Sequence, residues 1–214
     1  MRVHLLAILS LITCLLVTPI HSQRLSRKPI VLIDPGHGGT DYGAVSGNGI
    51  KEKDIVLHIA LKIQQFNTLF FENSFEIYLT RYRDTLIALG NRSKLAQVLK
   101  PDVFISLHCN QANNAFAKGM EVYVFEEESI YKRSSTFIAY QIQAEAKVKL
   151  GFKTRGIKQA NFQVLRETHS VCPAVLVELG FLSAMDEANY LEQSDKQDTL
   201  ALVVLESLIK CFEL

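Results

Sequence analysis

The sequence predicts a single α/β domain, a mostly parallel mixed sheet of about six strands with helices on both faces. Three observations predict it. Short runs that are apolar nearly from end to end (IVLID, VFISL and AVLVEL) read as strands buried on both sides. Longer segments with apolar residues at helical spacing alternate with them. Hydrophobic residues make up 48% of 214 positions and charged residues 21%, which suits one packed domain.

Residues 1–22 read as a secretory signal. Arg2 gives the positive start, positions 5–17 are apolar apart from Ser10 and Thr13, and Pro19 to Ser22 breaks the run at a small residue. The run is shorter than the roughly 20 residues of a membrane span, so none is expected after cleavage; an uncleaved anchor is the competing reading. Thr13 before Cys14 argues against lipidation. The mature protein is expected in the periplasm or outside the cell, with a catalytic domain over 29–214.

A first strand at 30–34 stops at Pro35-Gly36. Ile55, Ile59, Ile63 and Phe66 then mark a helix running to about residue 69, with Asp54 as its candidate cap. Phe75, Ile77 and Leu79 alternate with polar neighbours as in a strand. A helix over 86–99 ends before Pro101. Strands follow at 103–107 and 120–125; only about ten residues, 109–118, separate them, too few for a helical crossover, which predicts opposite directions. A helix over 134–150, a short strand at 162–165, a buried strand at 174–179 and a helix over 199–212 complete the chain. No repeat or linker marks an internal boundary.

The balance of 23 Lys and Arg against 22 Asp and Glu leaves no chain-wide basic field, and nucleic acid is not an expected partner. Four cysteines without a C-x-x-C pair exclude a disulfide scaffold or zinc ribbon. Loss of the signal leaves Cys109, Cys172 and Cys211, an odd number, so at least one thiol stays free or pairs between molecules. Cys109 and Cys172 fall at opposite ends of their strands and are not expected to bridge.

Four residues carry the chemistry. His37 lies in the Gly-rich turn DPGHGG after the first strand, where a sharp bend allows close approach to the imidazole. Glu52 follows a second Gly-rich stretch and precedes the first helix, where acids are common for dipole reasons alone. His108 follows VFISL, at the strand end where open α/β sheets place their ligands. Glu178 interrupts an apolar strand, and a buried carboxylate needs a charge partner. A metal would serve, as would Arg81, Arg83, Arg92 or Arg166. Two imidazoles and two carboxylates are the inventory of a zinc amide hydrolase: three ligands leave a position open to water, and a further carboxylate moves protons. H-E-x-x-H is absent, as are G-x-S-x-G and the P-loop and dinucleotide fingerprints. An iron oxygenase uses the same ligand types but is not usual in this strand–helix setting. His58 reads as structural and His169 as a surface residue.

These stretches resemble the zinc-dependent N-acetylmuramoyl-L-alanine amidases of amidase type 3. The matching segments are VLIDPGHGGTDYGAVSGNGIKEKDIVLHIALKI, LTRYRD, NRSKLAQVLKPDVFISLHCNQA, KGMEVYVF and RGIKQANFQVLRETHSVCPAVLVELGFLS, in the family's order across roughly residues 30–192. The resemblance implies one Zn2+ per chain on His37, Glu52 and His108, with Glu178 as the catalytic carboxylate. It implies a peptidoglycan substrate, cut between N-acetylmuramic acid and L-Ala of the stem peptide. Lys158, Gln159 and Asn161 are expected to face substrate. A monomer is expected, and a protein activator is possible. A zinc peptidase acting on wall peptides, and a non-catalytic wall-binding or regulatory homologue, are the alternative readings. The family usually has a small apolar residue where Cys109 stands, and that thiol is expected to face away from the metal. Some relatives carry an inhibitory helix between the second His and the catalytic Glu. Strands and a helix already fill that interval here, so no built-in inhibition is expected, and no carboxylate from 126–150 should reach the metal.

Overall fold

Alternation along β1 (Ile30–Pro35) sets the layers. Val31 and Ile33 enter one apolar core and Leu32 enters another, on the opposite side of the sheet. The computed structural model describes residues 27–213, and the signal expected at 1–22 lies outside them. The strands are β1, β2 (Glu76–Leu79), β3 (Val103–Asn110), β4 (Met120–Val124), β5 (Thr154–Gln159) and β6 (Ala174–Phe181), in the spatial order β2-β1-β3-β6-β4-β5. The first four in that order are mutually parallel; β4 runs antiparallel to β6, and β5 runs parallel to β4.

The larger core lies under α1 (Glu52–Phe70), α3 (Lys132–Leu150) and α6 (Ser194–Phe212). Their apolar stripes, including Ile55, Ile59 and Ile63, Ile138 and Ile142, and Leu200, Val204 and Leu208, cover the strands. On the other face α2 (Leu89–Leu99) and the single turn α4 (Gln163–Arg166) bring Ala96, Val164 and Leu165 onto Leu32, Phe104 and Leu176. Cys109 belongs to the first core and Cys172 to the second, so the sheet separates the two thiols, and both are free. No helix among the described residues is long and apolar enough to cross a membrane.

The sheet and its two helical faces match the sequence expectation, with four differences. β3 and β4 do run in opposite directions, but β6 lies between them. The segment 162–165 is not a strand; 163–166 is helical, and the edge strand is Thr154–Gln159 instead. Its sequence, TRGIKQ, is polar because an edge strand is half-wetted, so it carries no apolar signature. The sequence pattern does not predict helix α5 (Met185–Glu192), and α6 begins at Ser194. Finally, α1 starts at Glu52, so Glu52 sits in the helix and not in the loop before it. Its N-terminal amides are satisfied by loop carbonyls, Glu52 N–H by Ala44 and Lys53 N–H by Tyr42, and Asp54 caps nothing.

Parallel strands bring the C-terminal ends of β1, β3 and β6 to one edge. The reversed direction of β4 brings its N-terminal end there too. Every residue of the site stands at that edge.

Candidate metal centre

His37 has φ +57°, a left-handed conformation that costs a residue with a side chain about 1–3 kcal/mol. Two buried arginines hold the turn in place. Arg92 donates to the carbonyls of Pro35 (2.8 Å), His37 (2.6 Å) and Ile87 (3.0 Å). Arg81 donates to Pro35 (3.0 Å), Gly36 (2.8 Å) and Lys53 (2.8 Å). Arg92 is itself paired with Asp34 at 2.7 Å, with side-chain exposures of 2% and 1%. The hydroxyls of Thr80 and Ser106 donate to the same carboxylate.

His108 stands on β3 and Glu52 opens α1. Glu52 Oε1 lies 3.2 Å from His37 Nε2 and 2.8 Å from His108 Nδ1, and the three donor atoms all fall within 4.8 Å of one another. Tetrahedral zinc with bonds of about 2.0–2.1 Å spaces its ligand atoms about 3.3 Å apart. The nitrogen, nitrogen and oxygen set fits that ion in chemistry, and both distances from Glu52 are close to that spacing. The rings meet edge to face, with centroids 5.0 Å apart.

Two glycines make room for this convergence. A Cβ on Gly36 would come within 2.3 Å of the His108 ring. Gly43, at φ +66°, abuts Glu52, where a Cβ would meet Oε2 at 2.4 Å. The backbone amides of Ala44 and Cys109 donate to Glu52 at 2.7 and 2.9 Å. Burial works against the Glu52 charge, but hydrogen bonds and charge from His108 and His37 outweigh it and hold the carboxyl down at about 2. Burial likewise lowers His37, yet Glu52 and Asp41 raise it to about 9. Asp41 takes the outward nitrogen, Nδ1, at 2.8 Å and so fixes the ring with Nε2 inward. A cavity of about 260 Å³ opens on His37 and His108, walled by Leu86, Ile87 and Leu89.

Glu178 is paired in register with His108 across β3 and β6, on the same face. Its Oε2 is buried without a hydrogen-bond partner. Burial, together with the charges of Glu52 and Glu121, raises its pKa to about 7 against the pull of the histidines. Three of the four arginines that competed as its partner are engaged elsewhere, Arg81 and Arg92 on the β1 turn and Arg166 on Asn161, and Arg83 makes no ion pair with it either.

A model of the Amidase_3 family, described as N-acetylmuramoyl-L-alanine amidase, matches residues 31–210. The chain belongs to the N-acetylmuramoyl-L-alanine amidase family. It is 35% identical over 184 residues to the sporulation-specific N-acetylmuramoyl-L-alanine amidase of Bacillus subtilis, a match covering 86% of this chain and 68% of that protein. It is 32% identical over 202 residues to the amidase LytC of the same organism, with 91% of this chain covered. The chain spans 39% of the length of LytC. Among solved structures, the N-acetylmuramoyl-L-alanine amidase from Clostridium difficile 630 superposes with a TM-score of 0.79 at 34% identity, covering 86% of this chain and 97% of that one.

Within this amidase domain His37, Glu52 and His108 cluster, and Glu178 stands beside His108 in the β3–β6 register. Cys109 packs in the opposite core, away from the histidines. No carboxylate from residues 126–150 joins the ligand cluster among the described residues. His58 bonds Asp198 on α6, and His169 bonds the Arg166 carbonyl and stacks on Phe125. Lys158 reaches this face through Glu121 at 2.6 Å, while the Asn161 side chain accepts from Arg166. Asp41 and Glu121 were not singled out in the sequence. Glu121 was discoverable by the reasoning that found Glu178, since it too is an acid on an apolar strand, within MEVYV.

Proposed function

We propose that this chain is a zinc-dependent hydrolase of peptidoglycan that cleaves the amide bond between N-acetylmuramic acid and L-Ala of the stem peptide. The observation that carries the reading is the convergence of three metal-type donor atoms beside a buried carboxylate oxygen with no partner. His37, Glu52 and His108 would hold one Zn2+, which when bound lowers the pKa of water and polarises a carbonyl oxygen. Glu178 is the group left to move protons. It takes one from the attacking water and delivers one to the leaving amine nitrogen. Burial lifts this carboxyl above its ordinary range in the metal-free site, and a bound cation would pull it back towards the ionised form that accepts the water proton. Asp41 orients His37, and Arg81 and Arg92 fix the turn that presents it. Lys158 and, at the rim, Asn161 contact substrate. The protein acts as an exported monomer, directed by the leader at 1–22 to the periplasm or the cell exterior.

Purified wall tests the bond assignment. Digestion should release stem peptides with a free L-Ala amine, detected by end-group labelling and mass spectrometry. New ends within the stem would make the chain a peptidase instead, and no new ends would make it a binding homologue. The orienting role of Asp41 predicts that Asp41→Ala weakens zinc binding by about 10–100-fold in competition with a chromogenic chelator. Unchanged affinity would remove Asp41 from the site.

A further inference from the structure

Beyond the metal ligands, the same sheet face carries a second polar cluster. Glu121 lies opposite Glu178 in the β4–β6 register, so the two carboxylates share a face. The Glu121 side chain is only 2% exposed, yet four donors converge on it. Arg155 and Lys158 bond Oε1; Asn110 and Tyr123 bond Oε2, at 3.1 and 2.7 Å. A carboxylate accepts about four hydrogen bonds, so Glu121 is saturated and has no capacity left for a substrate proton or a metal. The two cations are not saturated. One carboxylate neutralises one of them, leaving a single net positive charge. Their side chains remain 32% and 37% exposed. Arg155 Nη2 has no partner among the described residues, and Lys158 Nζ has none besides Glu121. Arg155 lies over the Phe181 ring and Lys158 over Tyr123, which limits where their heads can swing.

A cation pair with spare donors, anchored by a buried acid, is a preorganised receptor for an anion. Its position fixes which anion. Both cation heads rest on Glu121, whose strand β4 lies next to β6, and one strand spacing of about 4.8 Å plus the length of a hydrogen bond puts them about 5–8 Å from Glu178. An extended peptide advances about 3.3–3.6 Å per residue, so that distance matches one to two residues past the residue whose amide is cut, the second or third of the stem. We propose that Arg155 and Lys158 form a subsite for a free carboxylate on the second or third residue of the stem peptide. Glu121 is its positioning residue. The subsite rests on the reading of the chain as a wall amidase and adds to it a preference for acidic over amidated stems.

The test compares two muropeptides that differ at one group, a free carboxylate or a carboxamide on the second stem residue, and a second pair differing likewise at the third. The native enzyme should prefer the acid of at least one pair by about tenfold or more in kcat/KM, chiefly through KM, and the preference should shrink as salt rises. Lys158→Met and Arg155→Met should each bring the ratio of the two rates toward one, and Lys158→Arg should restore it. The native comparison needs no variant, so a misfolded mutant does not decide the matter. Equal native rates within both pairs overturn the subsite and leave the amidase reading standing, as does an unchanged ratio in folded Met variants. Failure to cleave any of the four overturns the amidase reading and the subsite together.

Discussion

Glu178→Gln should lower kcat by a factor of about 10² to 10⁴ while the protein retains its zinc. The substitution keeps the shape of the side chain and removes its ability to accept and return a proton. Glu178 is not among the three clustered donors, so metal content measured by atomic absorption should match the native protein. Glu52→Gln is the contrasting variant. It alters the oxygen that both histidines face, and it should lose metal and activity together. Unchanged wall degradation by the Glu178→Gln protein would overturn the role, and so would loss of its metal. A stability measurement on metal-free protein supplies a second readout. Burial first, then Glu52 and Glu121, raise the Glu178 carboxyl to about 7 from an ordinary 4.5. A carboxyl raised on folding favours the native state below pH 4.5, and that contribution fades as pH climbs through 7. The glutamine variant does not titrate. Its melting temperature should therefore gain on the native protein between pH 4 and pH 8.

How much of this was legible beforehand follows from which forces wrote each feature. Buried strands announce themselves, because IVLID, VFISL and AVLVEL are apolar on both faces and have no other stable place. His37, His108 and Glu178 were therefore placed at strand ends from sequence, and the resemblance supplied their roles. Edge strand β5 was missed because water satisfies one of its sides and TRGIKQ has no need of apolar residues. α1 starts three residues before its apolar pattern does, because its amides are satisfied by the carbonyls of Tyr42 and Ala44, a tertiary contact that no local cap reveals. The same holds for the arginines. Arg81 and Arg92 looked like candidate partners for Glu178, but they bind backbone carbonyls of the β1 turn. Sequence spacing does not encode which oxygen a long side chain will reach. The position of β6 between β3 and β4 was invisible for a related reason, since its partners lie more than fifty residues away in the chain.

The Asp34–Arg92 pair should prove the most sensitive point of the fold outside the reacting groups. Arg92→Met would leave Asp34 buried with two hydroxyl donors and no ion-pair partner, and would strip a donor from the carbonyls of Pro35, His37 and Ile87. Breaking a buried pair on one side costs about 3–5 kcal/mol. For a domain of this size that lowers the melting temperature by about 6–20 °C. The cost is one of unpaired charge, so the double variant Asp34→Asn with Arg92→Met should be more stable than Arg92→Met alone. Zinc affinity gives an independent check. Without Arg92 on its carbonyl, His37 is free to leave φ +57°, and its Nε2 no longer stays aimed at Glu52. Affinity should fall in both the single and the double variant, although the double recovers stability. A melting temperature within about 2 °C of native for Arg92→Met would show that the charge pair does not hold the turn. Recovered affinity in the double variant would show that stability, not the Arg92–His37 hydrogen bond, governs the metal site.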